Sequence, residues 1–465
     1  IDPRGTRTAQ GSDVHVAIDL REYVLIFNAI AHEILERGLE KSRFVRERTK
    51  GFESYSAVVE AYTGEYVKRH TRVDERLLDE VAGLLGKAHE PRLIGGVALT
   101  QTIDGVDVAY AFNNLGLLCG TTPRYLRGKM NVQGVHEVIQ IPAYVFEDRS
   151  LTPDRVRECF RLIPEDCIAE RYSEEFKLLY VVKEDPAVSH PGLAEFWKRT
   201  ENAQVIVQDS TTRNNAIRMR QGSVRRELAS IVFASATVHE SEGTVVGDER
   251  VLRRSARTGK PFGDSLEDWQ IIAELARRVL EKLGSNPDEF CYGSVAEVFN
   301  ELSQRHPRFF DLTYESVRTE GVRLPSFPDE VYRFIPVHFH PLPPEFLPDA
   351  AYPYWATVHR LDGHYNTGTM SRRSKTLDRD CPEAFAEINP RDAERLSVWE
   401  GDLVELESKL TKRSIRLRCR ISEDSTEGII AVPLHFSEAP VNLLTLPRLS
   451  PELKDIPVKV VKLQP

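Results

Sequence analysis

Between residues 21 and 37 the apolar positions recur at helical spacing: Tyr23, Phe27, Ile30, Ile34 and Leu35 share one side, and Gly38 supplies a stop. This predicts a packing helix. A second amphipathic run carries Leu77, Leu78, Val81, Leu84 and Leu85. The pattern then shortens to Leu93 and Ile94, which run into Gly95 and Gly96 ahead of a helix over 106–118. A strand, a glycine pair and a following helix can present backbone N–H groups to an anion, and can equally be a plain tight turn. From Lys177 onward apolar strands over 178–182, 204–208 and 230–234 alternate with helix, the first connection carrying one over 192–200. Continuous apolar strands separated by helices predict a parallel sheet covered on both faces. A long helix over 266–283 follows, with Leu266, Trp269, Ile272, Leu275, Val279 and Leu283 on one face and Gly284 closing it. Residues 325–353 are rich in proline and aromatics and read as a linker wrapped on the surface. Beyond them, short strands over 355–359, 402–408, 414–421 and 428–432 predict a small β-barrel.

In parallel sheets, ligands bind beyond the carboxyl ends of the strands. Here those ends carry Glu184 and Asp185, then Asp209 with Ser210, Thr211 and Thr212, then Glu240, Glu242 and Gly243. Such carboxylates accept hydrogen bonds from a purine or ribose, or cap the next helix; both readings stand. Two further loops are unusually polar. Residues 126–134 read Leu-Arg-Gly-Lys-Met-Asn-Val-Gln-Gly, which sets Arg127 among glycines with Asn131 and Gln133. The guanidinium fork of Arg127 suits a carboxylate or phosphate, and Gly128 lets a ligand approach the main chain. The plain alternative is a solvated surface loop. Residues 363–371 read Gly-His-Tyr-Asn-Thr-Gly-Thr-Met-Ser, too polar and glycine-rich to be core.

Composition narrows the class. A chain of 465 residues exceeds one core and predicts about three domains. Its 62 basic and 71 acidic residues, net −9, argue against a general nucleic-acid partner. No apolar run approaches the roughly 20 residues of a transmembrane helix, so the expected location is cytoplasmic. The six cysteines are scattered without a Cys-x-x-Cys, so they read as buried thiols, and this sequence offers no zinc or iron–sulfur motif and no metal ligand set. The opening Ile-Asp-Pro-Arg looks like the carboxyl end of a strand whose earlier part is missing.

The chain carries, in order, Ile-Asp-Pro-Arg-x-Thr-x-Thr-Ala at its start, Leu-Thr-Gln at 99–101, Arg-Gly-x-x-Asn-Val-Gln-Gly at 127–134, Val-Gln-Asp at 207–209 and Glu-Gly-Thr at 242–244. The barrel adds His364 with Thr367-Gly368-Thr369-Met370, then an Ile-Asn-Pro-Arg-Asp-Ala-Glu-Arg-Leu run at 388–396. This series resembles the formate dehydrogenase alpha subunit group of the molybdopterin oxidoreductases, from Ile1 to the end. The resemblance implies an α/β fold of doubly wound parallel-sheet domains with a C-terminal double-psi-like β-barrel. The expected domains are a dinucleotide-binding-like one over 1–134, a second α/β domain binding guanine dinucleotide over 135–335, and a barrel domain over 350–465. Two molybdopterin guanine dinucleotides around molybdenum or tungsten are the implied cofactor. Arg127 is implied to hold the formate carboxylate beside the metal, with Gln101, Gly128, Asn131 and Gln133 facing the cofactor. Asp2, Arg4, Glu184, Asp185, Asp209 and Glu242 are implied to hold its pterin and nucleotide arms. His364, Thr367, Gly368 and Thr369, together with Asn442 and Lys459, look like the second face of the clamp.

The sequence departs from the family pattern at several points. The family's upstream half carries the four cysteines of an iron–sulfur cluster, then the cysteine or selenocysteine metal ligand and a histidine. None of these is here, so cluster, ligand and electron exit are expected from missing upstream residues or from an iron–sulfur or other redox partner chain. Arg21-Glu22-Tyr23 stands where the family usually has Gly-Thr/Ser-Asp/Asn, Lys183 replaces a glycine before Glu184, Ala98 replaces a glycine, and Phe233-Ala234 replaces Leu-Pro. A lysine near a pyrophosphate can substitute electrostatically, while Tyr23 could fill the pocket. Two functions follow. One is an enzyme moving two electrons between formate or CO2, the favoured small-molecule substrates, and a redox partner. The alternative is a cofactor-free scaffold subunit of a larger respiratory complex.

Overall fold

The computed structural model describes residues 1–19, 21–102, 104–126, 134, 137–138, 176–217, 230–247, 249–306, 309, 311–324, 331–446 and 455–463. The chain divides into two compact units, one of Ile1–Leu126, Val188–Phe196 and Asp329–Pro465, the other of Arg127–Ala187 and Trp197–Pro328.

In the first unit, helix α1 (Tyr23–Glu36) buries Val24, Leu25, Ile26, Ile30 and Ile34. A helix apolar on nearly every side belongs at the centre of a domain. Helix α2 (Glu75–Lys87) packs on it, starting at the Asp74 cap, whose side chain accepts from the Arg76 N–H. Strand β1 (Ile94–Gly96), helix α3 (Gly105–Leu118) and strand β2 (Arg124–Leu126) form a parallel βαβ unit, with β1 and β2 paired. Glycine at 105 is required, because a Cβ there would sit 2.1 Å from the Thr100 carbonyl. Three short helices, Ser42–Arg48, Phe52–Val59 and Gly64–His70, complete the layer.

The stretch expected to be a surface linker is partly core. Tyr332–Arg333 pairs in parallel with Thr49–Lys50, and Phe334 stacks on Tyr55 with ring centroids 4.8 Å apart. Phe334 and Val337 are buried. Asn114 exchanges two hydrogen bonds with the Ile335 backbone (2.8 and 3.1 Å), and Asn28 donates to the Val337 carbonyl at 3.1 Å. Buried asparagines thus satisfy main-chain groups that no sheet satisfies, and the aromatics drive the burial.

The second unit holds β3 (Leu178–Val182), β4 (Gln204–Asp209) and β5 (Ser230–Ala234), a parallel sheet in that order; the chain between β3 and β4 carries helix α4 (Leu193–Thr200), whose residues up to Phe196 are counted with the first unit. Strands β6 (Gly243–Val246) and β7 (Val251–Ser255) make an antiparallel pair that Val322–Arg323 extends. Helix α5 (Asp268–Leu283) opens with a Glu267/Gln270 capping box and stops at Gly284, φ 67°. Helix α6 (Val295–Arg305) is capped by Ser294.

The barrel lies in the first unit. Its strands are β8 (Tyr354–His359), β9 (Phe385–Ile388), β10 (Leu403–Ser408), β11 (Ser414–Ile421), β12 (Ile429–Pro433) and β13 (Asp455–Lys462), closed in the order β8-β12-β9-β11-β10-β13. Helix α7 (Pro390–Leu396) follows β9, capped by Asn389. Val404, Leu406, Ile415, Leu417, Ile430, Val432, Ile456 and Val458 fill the interior. The amino-terminal segment lies against this barrel: Gly5 N–H donates to the Asp424 carbonyl at 3.1 Å, and the Thr426 hydroxyl donates to the Pro3 carbonyl. Among the described cysteines, Cys119 and Cys419 are buried, Cys381 is half-buried and Cys291 is exposed, so the expectation of buried thiols fails at Cys291. Among the described residues, no helix is long and apolar enough to cross a membrane.

Candidate functional site

The barrel loop 363–371 is braced from below by two histidines. Buried His364 donates from Nε2 to the Cys381 carbonyl at 2.8 Å, while Nδ1 lies 3.2 Å from the Ser371 hydroxyl, which in turn accepts from the Tyr365 N–H at 3.0 Å. His435 accepts from the Leu361 N–H at Nε2 (2.8 Å) and donates from Nδ1 to the Asn366 carbonyl. Both ring nitrogens of each histidine are therefore taken up within the protein. Gly368 has φ 76°, and a Cβ on it would lie 2.5 Å from the His435 carbonyl. The Thr367 and Thr369 hydroxyls meet at 2.8 Å, so these three residues form one tight turn.

Asn442 donates from Nδ2 to the Val188 and Ser189 carbonyls, 3.3 and 2.5 Å, and Thr445 accepts from the Gly192 N–H at 2.8 Å. These bonds tether 188–192 to the barrel. Lys459 lies on β13 with Nζ 3.0 Å from Glu407, its directly paired neighbour on β10. The hydrogen bond that Lys459 donates to Glu407 raises the Lys459 pKa.

At the amino terminus, an Asp2 carboxylate oxygen accepts from the Arg4 N–H at 2.8 Å, and the Asp2 carbonyl meets His15 Nε2 at 2.8 Å. Arg4 donates from Nη2 to Glu387 and lies with Nη1 3.3 Å from His359 Nδ1. Burial, with Arg4, His435 and Arg420 adding to it, holds the His359 pKa down at about 3. Arg21 is only 5% exposed and has φ 79°. An arginine thus holds a left-handed backbone where the family usually has a glycine. Tyr23, the residue considered as a pocket filler, packs on Phe27 at 6.0 Å between ring centroids. Gln101 is partly buried directly after the Val97–Thr100 turn.

In the second unit the sheet gathers three of the expected acids. Asn214 donates from Nδ2 to the Glu184 carbonyl (2.6 Å) and to Asp209 Oδ2 (2.9 Å), and Asn215 donates to Asp185 Oδ2 at 2.6 Å. Asp209 also caps Ser210, whose N–H lies 2.6 Å from Oδ1. Glu242 is exposed, and its N–H donates to Glu267 Oε2 at 3.0 Å. Lys183, φ 48°, reaches Asp268 at 2.6 Å and the Ala236 carbonyl at 2.6 Å. Arg127, Gly128, Asn131 and Gln133 lie outside the described residues. The residues that the sequence reading did not single out are His359, His435, Glu387, Asn214 and Asn215. Only the Asn214-Asn215 pair after a strand-end turn carried a local signal.

Comparison with known families gives two matches: the molybdopterin oxidoreductase family over residues 1–278 and the molydopterin dinucleotide binding domain over 354–462. The chain belongs to the molybdopterin oxidoreductase family. The F420-dependent formate dehydrogenase subunit alpha of Methanocaldococcus jannaschii is 32% identical over all of this chain and 72% of its own length. The F420-dependent formate dehydrogenase 1 subunit alpha of Methanococcus maripaludis is 28% identical over 98% of this chain and 69% of its own length. Acetylene hydratase from Pelobacter acetylenicus shares the fold, with a TM-score of 0.74 at 15% identity over 99% of this chain and 73% of the hydratase. This oxidoreductase is therefore a molybdopterin protein, and the scaffold reading gains no support from these relatives.

The residues present fit such a cofactor. A dinucleotide carries a pyrophosphate, a group that accepts hydrogen bonds and donates none. In the first unit Arg4 Nε, Arg21 Nε and Nη1, and His359 Nε2 are buried without a hydrogen-bond partner. Native proteins seldom leave such groups unmatched.

Proposed function

We propose that this oxidoreductase is a formate dehydrogenase-like catalytic subunit that oxidises formate, or reduces CO2, by two electrons at a bis-molybdopterin guanine dinucleotide centre of molybdenum or tungsten. The observation that supports it best is the similarity to the archaeal formate dehydrogenase alpha subunit, 32% identical along the whole chain. Bound, the cofactor supplies the two-electron chemistry, while the protein binds, orients and sets the charge.

Arg127 would hold the formate carboxylate with its planar fork, two charge-assisted bonds fixing the orientation. Gln101, Asn131 and Gln133 would face the cofactor, and Gly128 would leave room for it. The Thr367-Gly368-Thr369 turn, held from behind by His364 and His435, would form one side of the clamp, with Asn442 and Lys459 on its margin. Asp2 and Arg4 would hold an arm of the cofactor. Glu184, Asp185, Asp209 and Glu242 supply acceptors, the complement of the N–H donors on a guanine edge. We assign these roles to domains over 1–134, 135–335 and 350–465. A redox partner carrying an iron–sulfur cluster would take the electrons.

The test is Arg127→Ala. Formate turnover should vanish while molybdenum or tungsten content stays unchanged. Normal turnover in that variant would remove Arg127 from the substrate site.

A further inference from the structure

The outer face of β8 carries Trp355, Thr357 and His359, alternating with the inward Tyr354 and Ala356 of the barrel core. Two arginines from the amino-terminal segment lie on this face. The Arg21 guanidinium carbon sits 5.6 Å from the Trp355 ring centroid, and Nη2 donates to the Asp455 carbonyl at 3.1 Å, with Nε 4.0 Å from the Asp455 carboxylate. Asp455 is the β13 partner of Thr357, and the Thr357 hydroxyl donates to Asp455 Oδ1 at 3.0 Å. Further along the face, Arg4 pairs with Glu387 and with His359 Nδ1. A guanidinium only donates, so His359 Nδ1 accepts and Nε2 carries the hydrogen. Each arginine thus spends part of its N–H groups on the protein and leaves the rest without a hydrogen-bond partner.

The idle atoms are Arg21 Nε and Nη1, Arg4 Nε and His359 Nε2, all buried and without a hydrogen-bond partner. Every one of them is a donor. A pterin or guanine edge needs donors and acceptors in alternation, whereas a phosphate needs donors alone. Thr357 and His359 lie about 7 Å apart along the strand, a distance that an extended pyrophosphate covers. Arg21 moreover keeps a left-handed backbone that arginine rarely adopts, a strain that persists where surrounding structure or function demands it.

We infer that Arg21, Arg4 and His359 form a phosphate-binding site on the outer face of β8, and that it takes a pyrophosphate. Asp455 and Glu387 balance the two guanidiniums, with Asp104 a further charge near Arg21. The pyrophosphate can belong to the dinucleotide cofactor, in which case the inference rests on the proposed function, or it can be free.

The experiment uses the purified full chain, Arg21→Gln, His359→Phe and, should either misfold, Arg21→Lys. Inorganic pyrophosphate is titrated with thermal unfolding and 31P NMR as readouts, and pterin retained through dialysis is measured by fluorescence after oxidation. Expected is stabilisation of the parent chain by pyrophosphate, with the apparent affinity at least fivefold weaker in each variant, or pterin retention at least fivefold lower wherever the parent carries pterin. Equal affinity and equal retention in parent and variants would overturn the site and leave the proposed function standing. A parent that lacks pterin but binds pyrophosphate through these residues would uphold the site and sink the proposed function. No pyrophosphate binding by a pterin-free parent overturns the site.

Discussion

Arg4 lies with Nη1 3.3 Å from Nδ1 of His359, which makes that nitrogen the acceptor of the pair and keeps the ring uncharged. Burial and three neighbouring cations or imidazoles hold its pKa down at about 3, against 6.5 in an unfolded chain. The unfolded state therefore binds the proton first, and the contribution of this group is lost as the pH falls from 6.5 toward 3. His359→Gln should flatten the acid side of the stability profile in that window, read from thermal midpoints between pH 4 and 7. An unchanged slope would mean that His359 titrates normally. Glu22 acts in the opposite sense and must be controlled for. Burial raises its pKa to about 7, outweighing hydrogen bonds from Thr71 and the Asp19 N–H, so its folded form retains a proton and stability falls as the pH rises from 4.5 to 7. The His359→Gln comparison is best made in a Glu22→Gln background.

Asp268 gathers Lys183, Gln208 and Ser235, each 2.6 Å from a carboxylate oxygen, at the first turn of α5. Asp268→Ala leaves those donors without their shared acceptor and removes a charge favourable at a helix start. A loss of about 2–4 kcal/mol is expected from chemical denaturation of the second unit. Lys183→Met should cost less, because only one of the three donors disappears. A cost of Asp268→Ala below about 0.5 kcal/mol would show that the network is solvated.

Gly368→Ala places a Cβ 2.5 Å from the His435 carbonyl on a backbone of φ 76°. Since His435 is held at both ring nitrogens, that carbonyl has little room to give. The substitution should destabilise the barrel by about 1–3 kcal/mol and lower pterin retention. Gly363→Ala is the control, with nothing within 4 Å of the added carbon. Equal effects from the two would contradict the bracing of this turn.

Much of the fold was legible because burial leaves a period in the chain. The face of α1 and the apolar runs of β3, β4 and β5 could be read directly, whereas the face predicted for α5 is largely exposed at Ile272, Val279 and Leu283, and the helix buries Ile271 and Ala273 instead. Strand β9 has only four residues, and β13 opens on Asp455 and contains Pro457, so neither reads as a core strand. The segment around Phe334 and Val337 looked like a linker because its main chain is satisfied by Asn28 and Asn114, far away in sequence. The same limit hides part of the site. Arg21 and Lys183 stand in place of family glycines, and nothing local reveals that both keep positive φ or that Lys183 turns to Asp268. His359 carries no signal, since its state is set by burial and by Arg4, 355 residues earlier.

Elemental analysis of the purified native protein for molybdenum and tungsten, with fluorescence of the oxidised pterin, tests the proposed metal–pterin centre. One of the two metals is expected near one per chain, together with pterin. Native material with neither metal nor pterin would contradict that expectation.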